Sequence, residues 1–147
     1  MTNMKKALVV CAVFVICAVS LPAQEQKVFE YREPFGRFSL SINNETVSSA
    51  KKYFFTLSYA GEDYQLYRSI TLNIDGTNHW ILFAHITQDW TGVSTETYKT
   101  KYLDDATIAA LRRANSVIFT IDSVAKRRDD TETLPNEAVA QIKQYLR

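Results

Sequence analysis

The sequence predicts an α+β domain: an antiparallel meander of about six to seven strands with two C-terminal helices packed on one face, in the order β-β-β-β-β-β-α-β-α. Three observations carry that prediction. From Val28 to Tyr102, aromatic and β-branched residues fall in short runs cut by turn residues. Within YQLYRSITLNID the apolar and polar residues alternate, as on a strand with one buried and one wet face. After Tyr102 the apolar period lengthens to that of a helix.

The first element lies outside the domain. MTNMKKALVVCAVFVICAVSLPAQEQ has a basic tip at Lys5 and Lys6, an apolar run from Ala7 to Val19, and the small residue Ala23 after Pro22. This order predicts a secretory signal peptide over residues 1–23, cleaved before Gln24. The apolar run is shorter than the roughly 20 residues a membrane-spanning helix needs. Both cysteines, Cys11 and Cys17, belong to this segment, and each follows a bulky residue, Val10 or Ile16, where a lipid-bearing cysteine would follow a small one. Residues 24–147 are then a single cysteine-free domain, exported to the periplasm or beyond a bacterial cell and stabilised by its core alone.

The strands follow in order, separated by breaks at Pro34 to Gly36, Asn43 to Glu45, Ala60 to Asp63, Asp75 to Asn78 and Asp89 to Gly92. Each break is too short for a crossover helix, hence the meander. In KKYFFTLSYA, the residues Tyr53, Phe55, Leu57 and Tyr59 share one side. In the next strand Tyr64, Leu66, Ile70, Leu72 and Ile74 form the apolar face, interrupted by Arg68, which places Arg68 near an edge. The Asp-Gly of DGTN predicts a tight hairpin into HWILFAHIT.

DDATIAALRRAN then reads as a helix from about Asp105 to Ala114, with acids at its positive end and Arg112 and Arg113 at its negative end. SVIFTIDSV returns to strand and KRRDDTET reads as a charged turn. LPNEAVAQIKQYLR closes as a second helix, with Val139, Ile142 and Leu146 on one stripe and Pro135 in the first turn.

Removal of Lys5 and Lys6 with the leader leaves 15 basic against 16 acidic side chains. That balance provides no basic field for nucleic acid or an anionic membrane, and no integral membrane segment is expected after cleavage. Paired acids at Asp104–Asp105 and Asp129–Asp130 are accounted for by helix capping and by a turn, and the basic run 126–128 is offset by its acidic neighbours. The tripeptide Asn44-Glu45-Thr46 is a glycosylation sequon.

Both histidines and both tryptophans lie in HWILFAHITQDW, residues 79 to 90. His79 and His85 are six apart and, on a regular strand, share a side at roughly 20 Å separation, too far to hold one ion. No metal or cofactor is therefore expected. A hydrolase would need His85 as base, Asp89 to orient it and a serine such as Ser58, Ser69 or Ser94 as nucleophile, but no strand-turn-helix nucleophile motif is present. Exposed aromatics near a turn can instead stack on a small ligand or anchor a protein. The sequence thus points to a non-catalytic binding or interaction module of the cell envelope, with Trp90, Tyr98, Tyr102, His85 and Asp89 as candidate contact residues. Its partner would be another envelope or secreted protein, or a small ligand. The alternatives are a small periplasmic hydrolase built on His85, and an inhibitor or assembly protein that binds a partner's edge strand.

Overall fold

The computed structural model describes residues 25–32, 38–61, 67–90, 94–123 and 130–147. The leader, the breaks at Pro34–Gly36 and Asp63, and the basic run 126–128 lie outside them. Among these residues, eight strands and two helices follow in the order β1 (Gln26–Arg32), β2 (Phe38–Val47), β3 (Ala50–Gly61), β4 (Tyr67–Ile74), β5 (Thr77–Trp90), β6 (Ser94–Thr100), α1 (Asp105–Arg113), β7 (Val117–Ser123), β8 (Asp130–Thr133) and α2 (Asn136–Tyr145). The chain is α+β, as the change of period after Tyr102 predicts.

Every pairing is antiparallel, but the sheet is not a simple meander: its strand order is β1-β2-β3-β6-β5-β4-β7-β8. The β4–β5 hairpin is displaced outward and β6 returns to pair with β3. The eighth strand is DTET, read from sequence as part of a charged turn. A short polar strand at a sheet edge carries no apolar signal, and its polarity guards the edge against further pairing.

Turn chemistry explains where the hairpins fall. Asp75 and Gly76 both have positive φ, 49° and 90°, as the two-residue turn between β4 and β5 requires. The β2–β3 turn is made by Ser48 and Ser49, also at positive φ, and not by Asn43 to Glu45. Asn43 sits inside β2, where its amide donates to Ser41 Oγ at 3.2 Å and Thr56 Oγ1 at 2.8 Å. Those bonds, one along β2 and one across to β3, let a turn-forming residue occupy a strand. Asn44, the sequon asparagine, is buried within the same strand.

Two bulges reset the alternation. Opposite β7 the register slips between Tyr67 and Ser69, so Arg68 is the extra residue and is turned out to solvent. Tyr67 thereby enters the core beside Ile70, Leu72 and Ile74. In β5 the register slips between Phe83 and His85, at Ala84. The same strand pairs with β4 through Leu82 and with β6 from Phe83 onward, so the bulge marks the corner between the two parts of the sheet. His79 lies on the inner face opposite Leu72, whereas His85 lies on the outer face opposite Lys99. The shared side expected for the two histidines is lost to that one extra residue.

The sheet curls on itself. Tyr31 of β1 and Phe38 of β2 meet Phe119 of β7 edge-to-face, with ring centroids 5.8 and 6.0 Å apart, although these strands stand toward opposite ends of the sheet order. The concave face holds the core, including Leu40, Ile42, Leu57, Ile70, Leu72 and Ile121. The helices do not lie across the middle of a flat sheet: α1 packs on α2, and α2 reaches β1, closing the open side of the curl. Their buried stripes, Leu111 on α1 and Val139 and Ile142 on α2, join the same core, and Leu146 follows just beyond α2.

Local devices hold the junctions. The Asp75 carboxylate accepts the backbone N–H groups of Asn115 and Ser116, which ties the β4–β5 turn to the start of β7. At Gly61 a methyl group would overlap the Tyr59 ring end that lies over its backbone, so a larger residue there requires that ring to move.

Candidate functional site

The outer face of β2, β3, β6 and β5 is built from the polar half of each strand's alternation. Ser41, Thr56, Lys99 and His85 stand in one cross-strand row. Phe54 is the exception, an aromatic ring on the polar face, and it is fully buried. What buries it is the start of the site. The Lys99 ammonium stands 4.0 Å from the Phe54 ring centroid, and the Tyr102 ring meets Phe54 edge-to-face at 6.3 Å.

Two carboxylates hold that cover in place. Lys99 Nζ lies 2.5 Å from Glu25 Oε1 and 3.5 Å from Glu45 Oε1. The Tyr102 hydroxyl donates to the Glu45 carboxylate. Burial by itself would lower the Lys99 pKa, but the hydrogen bond and charge of Glu25, together with Glu45, hold it above the ordinary lysine value. Tyr102 is also raised, first because its hydroxyl donates to Glu45, and further by desolvation and the nearby negative charge. Lys99 is thus committed to an ion cluster that fastens the residue before β1 onto the centre of the sheet.

Beside this cluster opens a depression of about 820 Å³, lined by Glu25, Ala84, His85, Lys99, Lys101 and Tyr102. A smaller hollow of about 190 Å³ shares Lys101 and Tyr102 with it and continues to Trp80, Leu82 and Asp104. The β5 bulge shapes this region, because it turns His85 outward and lets the Lys101 N–H bond to the Leu82 carbonyl at 3.1 Å. Among the described residues, neither the Lys101 ammonium nor the His85 ring has a hydrogen-bond or ion-pair partner. Asp104, by contrast, is occupied as the cap of α1, where its carboxylate accepts the Thr107 N–H at 2.7 Å. Its pKa is lowered by the side-chain and backbone hydrogen bonds from Thr107, with a smaller contribution from His79. His79 Nδ1 is 3.0 Å from the Thr107 hydroxyl and belongs to the packing of α1 on the sheet.

The residues expected from sequence therefore separate. His85 and Tyr102 meet in the depression. Asp89 shares the outer face of β5 with His85 but stands about 13 Å farther along the strand. Trp90 ends β5 opposite Ser94, and its side chain lies outside the described structure. Tyr98 is a core residue: it is 0 % exposed, its hydroxyl accepts the Tyr67 N–H at 3.0 Å, and its ring packs on Tyr67 and Phe83. Of the serines considered as nucleophiles, Ser69 and Ser94 are fully buried, and the Ser69 hydroxyl donates to the Asp122 carboxylate.

Trp80, Lys101, Glu25 and Glu45 were not among the sequence candidates. Trp80 has a legible signal, since it stands between His79 and Ile81 and so must face opposite to the apolar side; it is 62 % exposed. Phe54 carries another, as the middle of three consecutive aromatics in a strand that buries its odd-numbered side. Glu25 and Glu45 carry none, because they meet at Lys99 from far along the chain, Glu25 from 74 residues away. Comparison of the chain with protein families, with curated proteins and with solved structures finds no match.

Proposed function

We propose that this chain is an exported bacterial protein, periplasmic or secreted, whose domain acts as a non-catalytic binding module, and that its contact surface is the depression around His85, Lys101 and Tyr102. One observation carries this reading: an ordered cluster of Glu25, Glu45, Lys99 and Tyr102 forms one wall of an open depression whose other groups, the Lys101 ammonium and the His85 ring, have no partner among the described residues. Committed groups give a site its shape, and uncommitted ones are available to a ligand. A volume of about 820 Å³ falls in the range of small-molecule sites. A hydrolytic role has less support. A histidine base needs an orienting acid and a nucleophile within hydrogen-bond reach, and His85 has no such contact among the described residues.

The reading is tested by nuclear magnetic resonance on the purified protein, titrated with panels of small sugars, amino acids, nucleotides and peptides. Binding at this surface moves the side-chain resonances of His85 and Lys101 and the ring of Tyr102 while leaving those of buried Tyr98 in place. A ligand that shifts only residues elsewhere, or panels that shift none, would sink the assignment. Export is tested separately, by fractionation of the host and N-terminal sequencing, which should find Gln24 first in a periplasmic or secreted form.

A further inference from the structure

We propose that two copies of this chain pair through the open edge of β5, antiparallel about a two-fold axis at Thr87, so that His85 of each copy faces Asp89 of the other. This goes beyond the ligand site and sets a second copy of the chain at its rim.

The edge argues first. β4 pairs with β5 as far as Ser69 opposite Leu82, whereas β6 pairs with the other side of β5 out to Trp90. At Tyr67 the β4 backbone N–H turns to the Tyr98 hydroxyl in the core, so that group is not offered to β5. From His85 to Asp89, no described strand pairs with the β4 side of β5. All five side chains are exposed, those on the core side as well as those on the outer face. A row of unpaired backbone groups is a template for another strand. The end strands of the sheet are guarded, β1 by Lys27, Glu30 and Arg32, and β8 by its shortness and its acids. The open stretch of β5 instead centres on β-branched Ile86 and Thr87, which favour a strand.

Complementarity names the occupant. His85 and Asp89 both lie on the outer face, opposite Lys99 and Thr95, and neither side chain has a partner among the described residues. They stand two residues either side of Thr87, so an antiparallel pair centred there sets His85 opposite Asp89 twice. Directly opposed side chains have Cβ atoms about 5 Å apart, within reach of a hydrogen bond between these two. An imidazole N–H donates to a carboxylate whether or not the ring is charged, and the second ring nitrogen is left for the depression. On the other face, Ile86 stands opposite Tyr98 on the core side, yet it is 48 % exposed. Across the axis the two Ile86 side chains are diagonal neighbours and cover one another. The chain's own sequence thus supplies the complement to each face of its own edge.

The test is sedimentation velocity of the purified protein. A five-residue ladder covers less than the roughly 800 Å² a side of a standard interface, so the dimer should form gradually between about 10 and about 500 µM. His85→Glu sets two carboxylates against each other at both pairs and should weaken dimerisation by about tenfold or more. Adding Asp89→Lys to the same chain restores opposite charges at both pairs and should bring the dimer back. Both positions are exposed, so the variants should keep the wild-type circular dichroism spectrum. A protein that stays monomeric over this range overturns the proposal and leaves the edge to a strand of another protein. A dimer indifferent to His85→Glu, or one that the double variant fails to restore, overturns the pairing about Thr87.

Discussion

Replacing Tyr98 by phenylalanine separates two roles that one tyrosine could have, a ligand contact or a core support. The side chain is completely buried, with its ring 5.5 Å from that of Tyr67 and 4.9 Å from that of Phe83, so the substitution keeps the ring contacts and opens no large cavity. What it removes is the acceptor for the Tyr67 N–H, a group that sits at the Arg68 bulge. A buried donor left without a partner costs about 1–3 kcal/mol. With a urea dependence of about 1.5 kcal/mol/M for a domain of this size, the unfolding midpoint should fall by roughly 0.7–2 M at unchanged slope. Urea denaturation followed by far-ultraviolet circular dichroism measures this directly. The Tyr67 amide should also exchange with solvent faster in the variant. A midpoint within about 0.2 M of wild type, together with weakened binding at the outer-face depression, would refute the reasoning.

Two further outcomes test the site's surroundings. Asp104→Ala should cost about 1 kcal/mol near pH 7, as loss of an N-cap does. Because the folded carboxyl titrates below its ordinary value of 3.8, that contribution is present above 3.8 and is lost as pH falls through the lowered value, so the urea midpoints of variant and wild type should converge in acid. Glu45→Gln should bring the ionisation of Tyr102 down toward the ordinary 10.0, read from the pH titration of its assigned ring carbons, because the raised value comes first from the bond to that carboxylate. An unchanged or higher titration point would remove Glu45 as the cause. In the wild-type protein Tyr102 and Lys99 are both raised, so the cluster's contribution is present at neutral pH and is lost as pH climbs through their folded values.

Much of this was legible along the chain. The alternation of Tyr53, Phe55, Leu57 and Tyr59 predicts their shared burial, and the acids before Ile108 with Arg112 and Arg113 after it predict α1 nearly to the residue. The stripe of Val139, Ile142 and Leu146 is buried as its spacing requires. Alternation fails at Arg68 and Ala84, because a bulge adds one residue without adding a step of pairing, and nothing in the local composition announces it. Everything beyond each bulge then changes face, and with it the reading of His85 relative to His79. Tyr98 was misplaced for a related reason. Lysines alternate with it on β6, which looks like an exposed strand, yet a strand at the centre of the sheet buries whichever side meets the core.

The sequence by itself determined the class, the helices and the two-sidedness of each strand, since these depend on periodicity and capping within a dozen residues. Only the tertiary structure decided the strand order, the curl and the site. Glu25, Glu45, Lys99 and Tyr102 come together because β6 pairs with β3 in place of β4. Such a pairing is a competition between whole strands for one edge, settled by the core that closes behind it, and no short stretch of sequence holds its outcome.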